Sequence, residues 1–62
     1  MNIRRMVDLL LQKLSIKHKV YYMERRYYNN AKVSKSYLLN IDGDTMTFGS
    51  LIEVLTYLKQ RK

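Results

Sequence analysis

Val33-Ser34-Lys35-Ser36-Tyr37-Leu38-Leu39-Asn40-Ile41-Asp42-Gly43-Asp44-Thr45-Met46-Thr47-Phe48 is the stretch on which the fold turns. Asp-Gly between two alternating runs is the strongest short-range hairpin signal, because both residues accept the positive φ that a two-residue type I′ turn requires. Before the turn, Val33, Lys35, Tyr37, Leu39 and Ile41 fall on one face of a strand. Pairing across the turn sets Leu39 opposite Met46 and Tyr37 opposite Phe48. Both pairs put apolar groups on that same face, so register and hydrophobic pattern agree.

Upstream, residues 19–28 are β-branched and aromatic in character, with Val20 and four tyrosines, the composition of another strand. Asn29-Asn30-Ala31-Lys32 supplies the intervening turn, since Asn tolerates positive φ. The facing of this first strand depends on loop parity. An even loop puts Val20 and Tyr22 with Tyr37 and Leu39 on the core face. Tyr21, Met23, Arg25 and Tyr27 then point outward beside Lys32, Ser34, Ser36, Leu38 and Asn40. An odd loop flips the strand and buries Tyr21 and Met23 instead. The even loop is the working expectation.

Helices flank the strands. Ile3, Met6, Val7, Leu10, Leu11 and Leu14 form one apolar stripe of helical period, with Asn2 as N-cap. Arg4, Arg5, Asp8, Gln12 and Lys13 lie on the polar side. The last helix starts after Ser50, with Glu53 three residues on completing a capping box and Gly49 making the bend from the strand. Leu51, Val54, Leu55 and Leu58 form its stripe. Lys59, Arg61 and Lys62 place cations at its end, where the helix dipole favours them. The expected fold class is α+β, with element order α-β-β-β-α in one small basic domain over residues 1–62. Two helices cover one face of a three-stranded antiparallel sheet, and the other face is open.

Composition narrows the partner. The 62 residues carry twelve Lys and Arg against five Asp and Glu, a formal net charge of +7. A body this small with that charge attracts anions, nucleic acids foremost. Six tyrosines accompany the charge, four of them in the pairs Tyr21-Tyr22 and Tyr27-Tyr28 around Arg25-Arg26. Basic residues interleaved with aromatics suit backbone contact and base stacking. The absence of cysteine removes disulfides and thiolate chemistry and fits a reducing cytosol. The run Leu9-Leu10-Leu11 is too short for a membrane span or a signal-peptide core. The Lys, Asn, Ile and Tyr bias resembles that of short basic chains from phages and mobile elements.

No reaction is legible. The paired tyrosines are not accompanied by the histidine cluster that a relaxase needs, since His18 is the single histidine. His18 itself stands between Lys17 and Lys19 with no acid or base near in sequence, and is read as a solvated loop residue. Asp42-Gly43-Asp44, even with Asn40, lacks the further ligands of a calcium loop. The chain is therefore expected to be neither an enzyme nor a cofactor or metal protein.

The inferred element order resembles those of the double-stranded-RNA-binding domain and of the HicA-type mRNA interferase toxins. Where the RNA-binding domain starts its last helix with lysines, this chain has Gly49-Ser50-Leu51-Ile52-Glu53. The toxins carry a Gly-Ser-His stretch on a strand, whereas His18 has neither Gly nor Ser beside it. Residues 20–62 also look like the arm-binding domain of phage-type integrases, in which a three-stranded sheet lies against DNA; Thr47-Phe48 followed by a basic-ended helix carries that likeness.

The leading expectation is a small nucleic-acid-binding accessory or regulatory protein of phage or mobile-element type in the cytoplasm, the host's if phage-encoded. Its candidate contact residues are Arg4, Arg5, Lys19, Tyr21, Arg25, Arg26, Tyr27, Lys32 and Lys35. The alternative is a protein-binding module, either an inhibitor of an acidic host protein or a homodimer through the open sheet face, because Tyr, Met and Arg are also enriched at interfaces. A toxin-like ribonuclease is the third reading. No membrane partner is expected.

Overall fold

Asp42 and Gly43 hold φ angles of 52° and 94°, so the Asp-Gly pair makes the two-residue connection that its chemistry demands. In the computed structural model, which describes residues 2–61, this turn joins β2 (Lys32–Ile41) to β3 (Asp44–Phe48). Leu39 lies opposite Met46 and Tyr37 opposite Phe48, the register expected from the apolar pattern.

β1 (Val20–Asn29) runs antiparallel to the whole of β2, from Val20 opposite Ile41 to Asn29 opposite Lys32. The sheet order is β1-β2-β3. Only Asn30 and Ala31 connect β1 to β2, at φ 50° and 66°. The turn is shorter than Asn29-Asn30-Ala31-Lys32, because Asn29 and Lys32 still pair as the last rung. The loop is even, so Val20 and Tyr22 share the core face while Tyr21, Met23, Arg25 and Tyr27 take the other. Ala31 occupies the left-handed region, which costs a residue bearing a Cβ about 1–2 kcal/mol. The ladder behind it enforces that conformation.

α1 (Ile3–Lys17) precedes the sheet and α2 (Leu51–Gln60) follows it. Asn2 caps α1, its Oδ1 accepting the Arg4 N–H at 2.9 Å. Ser50 caps α2 by accepting the Glu53 N–H at 3.3 Å. The Glu53 carboxylate accepts the Gly49 N–H at 2.9 Å, so the reciprocal arm of the box reaches one residue further back than its usual target. Lys59 lies in the last turn of α2 and Arg61 is its C-cap; Lys62 lies outside the described residues.

Both helices bury their stripes on the same sheet face. Val7 from α1 and Val54, Leu55 and Leu58 from α2 close over Tyr37, Leu39 and Ile41, with Ile3, Met6, Leu10, Leu11, Leu14 and Leu51 packed around them. Tyr22 stacks on Tyr37 at a centroid distance of 6.5 Å, and Phe48 meets Tyr57 at 5.6 Å. The helical cover stops near the rung that pairs Glu24 with Tyr37. Beyond it Arg26, Tyr28, Val33 and Lys35 stand on the core-side face yet are exposed. β3 pairs only with residues 37–41 of β2, so the outer five rungs form a two-stranded ribbon about 17 Å long. The long dimension of the molecule is 41 Å.

Candidate nucleic-acid interface

Residues 25–36 make up this ribbon and its turn, and they hold Arg25, Arg26, Lys32 and Lys35 but none of the five acids. On the outer face Arg25 pairs with Ser36, Tyr27 with Ser34 and Asn29 with Lys32. On the core-side face Arg26 stands directly opposite Lys35, and Tyr28 opposite Val33. Like charges opposed across a ladder destabilise it. Arg26 and Lys35 are both exposed, so an anion has access to each.

Three of the five acids, Glu24, Asp42 and Glu53, are engaged elsewhere in the fold. Glu24, two rungs inward from Arg26 on the same face, receives both arms of Arg4, at 2.8 and 3.3 Å. The Arg4 hydrogen bonds hold its carboxyl below the usual range, helped by the fields of Lys35 and Arg26. The same contact raises Arg4. Glu24 thereby ties α1 to β1, and the guanidinium of Arg4 has a protein partner. Glu53 serves the α2 cap.

The nine candidate contact residues divide accordingly. The fold brings Arg25, Arg26, Tyr27, Lys32 and Lys35 together on the ribbon. Arg4 sits in the α1–β1 ion pair, and Arg5 is exposed beside it on α1. Lys19 precedes β1, roughly 30 Å along the strand from the ribbon tip. Tyr21 is exposed near that same inner end, its hydroxyl donating to Met23 Sδ at 3.4 Å.

Tyr28 was missed from sequence and is among the most exposed aromatics, at 77%. Strand alternation puts it on the core-side face, where burial is the default. It is open because the helices end before reaching it. Its presence beside Tyr27 was the available signal, since a strand with adjacent tyrosines must show one of them on each face.

A second unforeseen feature lies at the opposite end of β2. His18 Nδ1 meets Asp42 Oδ2 at 2.6 Å, across 24 positions of sequence. The other carboxylate oxygen accepts the Lys19 N–H at 2.9 Å, and the Asp42 N–H donates to the Lys19 carbonyl at 2.9 Å. The Lys19 N–H, and after it His18, hold the Asp42 carboxyl below its ordinary value. His18 also closes α1, its N–H donating to the Leu14 carbonyl at 2.9 Å. The solvated-loop reading of His18 is thus corrected: the side chain clamps the end of α1 to the β2–β3 turn. Asn40 supports that turn too, accepting from the Gly43 N–H at 3.1 Å and donating to Thr45 Oγ1 at 2.7 Å. Among the described residues no three acid, His or Cys side chains group as a metal site.

Between the helices, Met6, Leu9, Leu10, Lys13 and Lys59 line a shallow apolar cleft of about 220 Å³, below the roughly 300 Å³ at which small-molecule sites begin. No helix among the described residues is long and apolar enough to cross a membrane. Compared with protein-family models, with curated proteins and with solved structures, the chain matches none.

Proposed function

We propose that this protein binds nucleic acid through the β1–β2 ribbon, as a small accessory or regulatory factor of the kind that phages and mobile elements encode, acting in the cytoplasm. One observation carries the reading: residues 25–36 project past the core with four cations and no acid, and two of those cations oppose each other at Arg26 and Lys35. Phosphate between or beside the two relieves that repulsion, so the ligand stabilises what the free fold tolerates. Tyr27 and Tyr28 add one π-face on each side of the ribbon for stacking on bases or sugars.

Fluorescence anisotropy with labelled duplex and single-stranded oligonucleotides tests the proposal. Affinity falls steeply with salt, because each neutralised phosphate releases condensed counterions. Absence of binding to every nucleic acid at low salt refutes it. A second reading, a protein interface, rests on a separate observation: among the described residues no element covers the outer sheet face at Tyr21, Met23 and Leu38. A partner seated there would be lost on Tyr21→Ala and would survive charge removal on the ribbon.

A further inference from the structure

Resting on the reading of the ribbon as a nucleic-acid-binding element, we infer that its ligand is B-form duplex DNA and that the ribbon enters the major groove tip first. The ribbon's cations are divided between its two faces. Arg26 and Lys35 share a rung on the core-side face; Arg25 and Lys32 stand on the outer face, with Tyr27 between them along the ladder. A single strand laid on a sheet meets the protein from one side, and such surfaces gather their cations and aromatics there. An element inserted into a duplex groove has a phosphate wall on each side. Cations on both faces then find partners at once.

The dimensions agree with one groove. A strand pair with side chains standing on both faces is about 10 Å thick, which fits a major groove about 12 Å wide and not a minor groove of about 6 Å. The five exposed rungs, about 17 Å long, exceed the groove's depth of about 8.5 Å, so the tip, with Lys32 in its last rung, reaches base edges while Arg26, Lys35 and Arg25, three and four rungs back, remain level with phosphates. Duplex RNA does not suit, because its major groove is deep and too narrow for side chains. Asn29 and Asn30 are exposed at the tip, and the Asn amide pairs bidentately with the N6 and N7 edge of adenine in this groove.

The test uses the full chain with a 5′-labelled DNA duplex, its separated strands, and the same sequence as duplex RNA. Two double variants address the two faces, Arg25→Gln with Lys32→Gln and Arg26→Gln with Lys35→Gln, each checked for an unchanged circular dichroism spectrum. The Arg26, Lys35 variant should lower the slope of log affinity against log salt by about 1.8 and the Arg25, Lys32 variant by at least about 0.9, from about 0.9 per lost phosphate contact on B-DNA. Methylation by dimethyl sulfate should be blocked at guanine N7, in the major groove, and not at adenine N3, in the minor groove. A slope that responds to only one of the two face pairs overturns groove insertion and leaves nucleic-acid binding standing. Equal or tighter binding to the separated strands or to duplex RNA, or protection at adenine N3 alone, does the same. No binding to any of the three ligands overturns this inference together with the reading beneath it.

Discussion

Ala31→Gly should stabilise the fold, and Gly43→Ala at the equivalent place of the other hairpin should destabilise it. Ala31 holds φ 66° and Gly43 φ 94°, so each hairpin places its second loop residue in the left-handed region. A side chain there costs about 1–2 kcal/mol through the clash of Cβ with the backbone carbonyl. Glycine removes that strain but adds about 0.5–1 kcal/mol of unfolded-state entropy relative to alanine. The net gain for Ala31→Gly is about 0.5–1 kcal/mol. At 4–8 °C per kcal/mol for a chain this short, Tm rises by about 2–8 °C. Gly43→Ala runs the same exchange backwards. A Cβ at Gly43 meets nothing within 4 Å, so its loss of stability isolates the backbone term from packing. Thermal unfolding followed by circular dichroism, with urea midpoints at unchanged m-value, measures both. Shifts of the same sign for the two variants, or a lower Tm for Ala31→Gly, would refute the turn geometry assigned to the ribbon tip.

Leu39 is fully buried at the centre of the sheet, so Leu39→Ala should cost about 2–5 kcal/mol, a large part of the total stability of so small a fold, and be read as lost cooperative unfolding. Lys35→Thr should raise stability by up to about 1 kcal/mol by removing the like-charged rung with Arg26, while weakening nucleic-acid affinity; thermal melts and anisotropy moving in the same direction would count against that rung. The lowered Glu24 and Asp42 carboxyls contribute stability that is complete above the unfolded carboxylate values near about pH 4 and is lost as pH falls through the lower folded values. Thermal melts should hold level from neutral pH down to that region and fall below it, with a smaller fall in Glu24→Gln; a flat profile to pH 2 would contradict the Arg4–Glu24 and His18–Asp42 pairs.

The element order, the Asp42-Gly43 hairpin, the Leu39–Met46 register and both helix caps were legible in the sequence, because each depends on residues within a few positions of one another. Asn2, Ser50 and Glu53 act on backbone groups next to them, and the period of the Ile3 to Leu14 stripe reports one face of one helix. The parity of the first hairpin was only half legible. Asn29-Asn30-Ala31-Lys32 admits several loop lengths, and pairing along ten residues of β1 decided for the two-residue turn despite the strained Ala31. Five of the nine candidate contact residues came together because they lie within twelve positions on one hairpin. What sequence could not show was where the core ends. Arg26, Tyr28, Val33 and Lys35 follow the same alternation as the buried Tyr37, Leu39 and Ile41, and their exposure depends on how far two helices extend over a sheet formed by other residues. The Arg4–Glu24 and His18–Asp42 pairs join positions 20 and 24 residues apart. Only tertiary packing brings such charges within reach, so only the folded structure separates cations already engaged from those left free on the ribbon.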